Sequence, residues 1–149
     1  MENLKELYEE AYLQIDVKNL YEADKIIKKI KDENSEDEKL FILEGKYFGE
    51  KNDNKNAFEL FNKALEINPN SVEGLYERGR LFSRMGKKEE SYNDLKKAYN
   101  LDNNNEKVMF FLGRMAINLE KYEEGREIFK KLYHHRKDED VSNYFTSAN

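Results

Sequence analysis

The chain has two histidines, His134 and His135, side by side, and no cysteine among its 149 residues. Consecutive residues on a helix point about 100° apart, so this pair cannot share one ion. Disulfides and thiolate metal or redox sites are excluded outright. A nucleophile–base pair is hard to assemble from what remains. Asn52-x-Asn54-x-Asn56 echoes a calcium loop, but Ala57 stands where the turn glycine belongs and Lys63 where the bidentate glutamate belongs. Gly86-Lys87 echoes the end of a phosphate loop, but Leu81 takes the place of its upstream glycine. Carboxylates abound only as surface charge. These residues point to a non-catalytic protein with no metal and no cofactor.

What such a chain can do is set by the elements that carry its side chains. Charged residues make up 38% and aromatic residues 13%, which argues against a disordered tail. One proline and seven glycines leave too little turn chemistry for a many-stranded β fold. The unbroken apolar runs, residues 40–43 and 108–112, fall far short of the ~20 residues of a membrane span. The start, Met1-Glu2-Asn3-Leu4-Lys5-Glu6, lacks the basic and apolar regions of a secretory signal. A net charge of −5 disfavours general nucleic-acid binding. The expectation is a soluble, cytoplasmic, all-α protein.

The chain repeats itself. Gly45, Gly79 and Gly113 stand 34 residues apart, and one step back lies the small residue Ala11. Four residues before each comes a large apolar one: Leu7, Phe41, Leu75, Met109. Twelve after comes a small one (Ala23, Ala57, Ser91, Gly125), and sixteen after a large one (Ile27, Phe61, Leu95, Phe129). Phe41, Gly45 and Phe48 share one helix face, and Ala57, Phe61 and Ala64 share another. Polar breakers (Lys18-Asn19, Asn52-Asp53, Gly86-Lys87, Glu120-Lys121) divide each unit into two helices. The spacing predicts helices near residues 3–17, 20–33, 37–50, 54–67, 71–85, 88–101, 105–118 and 121–136.

The unit 38–71 resembles a tetratricopeptide repeat, carried by Phe41, Gly45, Phe48, Ala57, Phe61, Ala64 and Pro69. Residues 72–105 match through Leu75, Gly79, Phe82, Ser91, Leu95 and Ala98. Residues 106–139 depart at Ala116, Gly125 and Leu132, and 4–37 at Ala11 and Gln14. The resemblance implies a right-handed α–α superhelix of four hairpins, one array over residues 1–139. Residues 140–149 are expected to begin a truncated fifth helix, with Tyr144 in the aromatic column, or to stay mobile. In the second case part of the apolar end of the last hairpin would stay open to a second chain. Glu44 and Arg78, at equivalent places on adjacent first helices, are expected to face each other.

The resemblance also implies that the first helix of each unit lines the concave side. The columns left free by the core there hold Tyr8, Tyr12, Lys39, Ile42, Lys46, Tyr76, Arg80, Arg84, Lys107, Phe110 and Arg114, the expected partner-binding residues. With their neighbours they count seven cations (Lys5 among them) against the three carboxylates Asp16, Glu50 and Glu73. A basic, aromatic-lined groove in an acidic shell focuses attraction onto the groove, and Arg with Tyr and Phe makes up interface hot spots. The lysine, asparagine and arginine clamp by which the family grips a terminal carboxylate is not reproduced in either register. The reading is a scaffold binding a protein or peptide, with an acidic segment as the expected partner. Self-association as a homo-oligomer is the alternative, and RNA binding through Lys46, Arg80 and Arg114 ranks third.

Overall fold

The computed structural model describes residues 3–33 and 37–147, with side chains as far as residue 140. Eight helices are seen among them. They are α1 (Leu4–Asp16), α2 (Leu20–Glu33), α3 (Glu38–Glu50), α4 (Asn54–Ile67), α5 (Val72–Arg84), α6 (Lys88–Leu101), α7 (Glu106–Asn118) and α8 (Tyr122–Ser147). First helices begin at residues 4, 38, 72 and 106, and second helices at 20, 54, 88 and 122, so the period of 34 is kept throughout. Side-chain caps set the starts. Asn3, Asp37, Asp53, Ser71 and Asn105 each accept a hydrogen bond from the backbone N–H three residues on.

The turn inside each hairpin is the same four times over. Lys18, Asn52, Gly86 and Glu120, again 34 apart, all have positive φ, from 62° to 75°. Each donates its N–H three residues back, and the next residue donates five back, as in Lys18 to Ile15 (3.0 Å) and Asn19 to Gln14 (2.8 Å). This is the Schellman closure of a helix, which needs one left-handed residue. Only one of the four positions has the glycine that adopts this conformation without strain.

Within a hairpin the small column of the first helix meets the large column of the second. A Cβ on Gly45 would lie 2.5 Å from Phe61, one on Gly79 2.9 Å from Leu95, and one on Gly113 2.9 Å from Phe129. Phe61, Leu95, Met109 and Leu112 are fully buried, and the core divides into clusters, one spanning α1 to α3 and a larger one α4 to α8. First helices also pack backbone to backbone, α1 on α3, α3 on α5 and α5 on α7. Second helices stand further apart, α6 reaching α8 through side chains, Tyr92 and Lys96 to Glu124 and Lys131 to Tyr99. The stack therefore curves with its first helices inside.

Two expectations are corrected. Glu44 and Arg78 do not pair. Glu44 meets Lys31 at 3.3 Å, and Arg78 donates to Asp94 of its own hairpin through Nε (2.7 Å) and Nη2 (2.8 Å) and to Asn62 on α4 of the preceding one (2.9 Å). The planar guanidinium fork takes both oxygens of the Asp94 carboxylate on α6, while the Glu44 carboxylate on α3 is engaged by Lys31. The tail begins no fifth helix either: α8 runs unbroken for 26 residues, twice the length of α7. No proline or glycine between 126 and 147 interrupts it. The side chain of Tyr144 lies outside the described ones.

Candidate interaction groove

Because α1, α3, α5 and α7 lie on the inside of the curve, their free columns form one surface. Lys39, Lys107 and Arg114 are exposed on it, Tyr8, Tyr12, Lys46 and Arg80 half-buried, and Phe110 is 38% exposed. Tyr76 lies nearly covered. Ile42 departs from the expected set: at 2% exposure it packs with Phe41, Ala64 and Leu60. These neighbours lie on α3 itself and on α4 of the same hairpin, which leave Ile42 to the core.

At the α5–α7 end the surface is built of cations on rings. Arg80 lies with its guanidinium carbon 5.1 Å from the centre of Phe111 and 5.7 Å from that of Tyr76. Arg114 sits 5.5 Å from Phe111 and 5.7 Å from Phe110. Two guanidinium groups thus share one ring, and Phe110, Phe111 and Phe129 stack edge to face beneath them. Ring packing holds planar donors in place while leaving their N–H groups free for a carboxylate. Arg84 is spent differently, donating to the Gly49 carbonyl at 3.3 Å across to α3.

Toward α1 the surface changes character. Lys46 is only 15% exposed in its side chain, paired with Asp16 at 3.0 Å and resting over the Tyr12 ring at 5.3 Å. Beside it opens a pocket of about 460 Å³, running from α1 to the start of α7. Tyr12, Asp16, Lys46, Val72, Glu73, Tyr76, Glu77, Asp102, Asn105 and Lys107 line it. Four carboxylates face two lysines there. The uniformly basic groove expected from the columns is therefore basic only at its α5–α7 end.

Glu77 is the residue that column reasoning missed. It is 7% exposed, and the cation nearest it, Arg80, stands off at 4.0 Å. Burial raises its pKa above the ordinary carboxylate value, against the pull of Lys46 and Arg80. Burial, then the Glu73 carboxylate, raises the Tyr12 phenol likewise. Its column, two before the small residue, holds Glu9, Leu43 and Phe111 as well, two charged and two apolar, so the column gave no signal of its burial.

One titratable cluster lies outside the groove. His135 and Glu139 on α8 and Glu106 on α7 bring ligand atoms within 4.8 Å of one another. Arg136 already reaches Glu106 at 3.5 Å and His135 reaches it at 3.3 Å, so an ion would compete with two existing pairs. No helix is long and apolar enough to cross a membrane among the described residues.

The family model described as anaphase-promoting complex, cyclosome, subunit 3, matches residues 50–132, from the end of α3 into α8. No curated protein matches the chain. Solved structures do. TTC0263, a thermophilic TPR protein of Thermus thermophilus, is 16% identical with a TM-score of 0.78, covering 99% of this chain and 81% of its own. The pilF protein of Pseudomonas aeruginosa is 18% identical at 0.78, covering 90% and 61%. A monomeric mutant of IFIT1 solved with Gppp-AAAA is 20% identical at 0.77, covering 88% and 33%. At such identities the likeness speaks for the fold alone, a superhelical array of tetratricopeptide type. With period, hairpin geometry and a match over more than half its length in agreement, the chain belongs to the tetratricopeptide-type family described as anaphase-promoting complex, cyclosome, subunit 3.

Proposed function

We propose that the array is a non-catalytic scaffold that holds a partner protein or peptide along the inner face of α1, α3, α5 and α7. The observation that carries this is the pair Arg80 and Arg114 on the shared ring of Phe111. Fixed, partly desolvated guanidinium groups on an aromatic floor are the make-up of an interface hot spot. Lys107 and Arg114 have no carboxylate within 4.0 Å among the described residues, so an acidic stretch of the partner would meet open charge at this end. The Gppp-AAAA bound by the IFIT1 mutant raises RNA as a ligand. The carboxylates of the neighbouring pocket, in a chain of net charge −5, would repel a continuous phosphate backbone. Reversing Arg80 and Arg114 to glutamate and measuring capture of acidic peptides by the full chain tests the reading.

A second reading, self-association through the last hairpin, has one observation in its favour. Phe110 and Tyr133 are 38% and 62% exposed, while their counterparts one repeat earlier are covered, Tyr76 directly in the core and Tyr99 partly so. No following hairpin covers α7 and α8 among the described residues. Sedimentation across a range of concentrations tests it: a mass that grows with concentration and returns to monomer in Phe110→Glu would favour it.

A further inference from the structure

We infer that the pocket between Tyr12 and Tyr76 takes a lysine or arginine side chain of the bound segment, so that the groove selects a segment of mixed charge. The inference rests on the groove being the binding surface, and it adds a requirement that the basic end alone would not impose.

The pocket has a hydrophobic wall and an acidic end. Val72, Tyr12 and Tyr76 offer apolar surface for the methylene stem of a long cationic side chain. Glu73, Glu77 and Asp102 supply the charge for its head. At about 460 Å³ the space lies within the roughly 300–1,000 Å³ typical of ligand sites.

Glu77 is the decisive group. Its side chain is 9% exposed and lines the pocket, and its carboxylate accepts no hydrogen bond among the described residues. Arg80 at 4.0 Å is beyond hydrogen-bonding distance, because its guanidinium is held over Tyr76 and Phe111. Lys46, which also lines the pocket, is held by Asp16 at 3.0 Å. Lys46 and Arg80 are thus committed elsewhere, and Lys107, the other lysine of the lining, is exposed to solvent. A buried carboxylate without hydrogen-bond donors is costly, and an incoming ammonium or guanidinium supplies the donors it lacks. An anionic group in the same place would face three carboxylates.

The order of charge along the groove follows. The basic residue of the segment lies toward α1, and its acidic residues lie toward Arg80, Lys107 and Arg114 at the α5–α7 end.

The test is a titration of the isotope-labelled full chain with three single-residue probes, followed by two-dimensional NMR. The probes are the N-acetyl, N-methylamide forms of arginine, norleucine and glutamate. The arginine probe should shift the signals of Tyr12, Val72, Glu73, Tyr76 and Glu77 at millimolar concentrations, and norleucine should not. Glu77→Gln should weaken the arginine probe by roughly tenfold, in line with the loss of one charged hydrogen bond. Glu73→Gln, on the exposed rim, serves as a second variant should the buried one misfold. Equal response to norleucine, shifts scattered over the acidic surface, or a pocket that answers to glutamate would overturn the inference. If glutamate moves Arg80 and Arg114 while arginine leaves the pocket unmoved, the inference fails and the groove reading stands. If none of the probes moves any groove signal, both fail.

Discussion

The ring of Phe61 occupies the space beside the α-carbon of Gly45, so closely that a Cβ there would lie 2.5 Å from the ring. Sixteen residues separate the two, and the same separation joins Gly79 to Leu95 and Gly113 to Phe129. The small column exists because the large column needs the room.

Gly45→Ala therefore reverses the usual rule for helices. Alanine gains about 1 kcal/mol of helix propensity over glycine, but the overpacked ring costs about 1–3 kcal/mol. Phe61→Ala empties the same space and should cost roughly 3–5 kcal/mol. Both variants should melt below the parent in thermal unfolding. An unchanged melting temperature in both would mean that this face is not the core.

The left-handed column makes an opposite prediction. Lys18 and Glu120 hold positive φ with exposed side chains. Lys18→Gly and Glu120→Gly should each stabilise by about 0.5–1 kcal/mol, and Gly86→Ala should destabilise by about as much. Chemical denaturation of the three variants checks the signs.

Glu77 links stability to pH. Burial raises its folded pKa above the ordinary 4.5. A raised value contributes stability that is fully present below the unfolded pKa and is lost as pH rises through the folded one. At neutral pH the ionised group is thus a burden, and Glu77→Gln should melt at or above the parent temperature. The gain should shrink as pH falls below the carboxylate range. A fall in melting temperature at neutral pH would assign Glu77 a structural role instead.

Much of this was legible in the residues. The period of 34, the small and large columns and the polar breakers placed the helix starts to within one residue, because each copy repeats the same local signals. The end of α8 was not legible, since column arithmetic assumed a fifth unit where the chain carries no breaker. The groove was half legible. Columns show which residues face inward, and Tyr12, Lys46, Arg80 and Arg114 do so. They do not show that Asp16 engages Lys46, or that superhelical twist brings Asp102 and Asn105 beside α1. Pairings between repeats depend on reach and angle, and Ile42 shows that an inward column can still be closed within its own hairpin.

The electrostatic part of binding should act mainly on the association rate and fade with salt, as the Debye length falls below about 10 Å. The aromatic part, from Tyr76, Phe110 and Phe111, should persist in salt and set dissociation. Stopped-flow association measured at low and high salt separates the two. An association rate indifferent to salt would remove the arginine row from the encounter.

The central claim is that the inner face does the binding. The most direct measurement compares three immobilised full-length chains for capture of the same partner: the parent, Arg80→Glu with Arg114→Glu, and Lys28→Glu with Lys29→Glu on the outward side of α2. The account predicts that the first and third retain the partner and the second loses it, with melting temperatures alike in all three. Capture that survives reversal of Arg80 and Arg114 but disappears when Lys28 and Lys29 are reversed would contradict it.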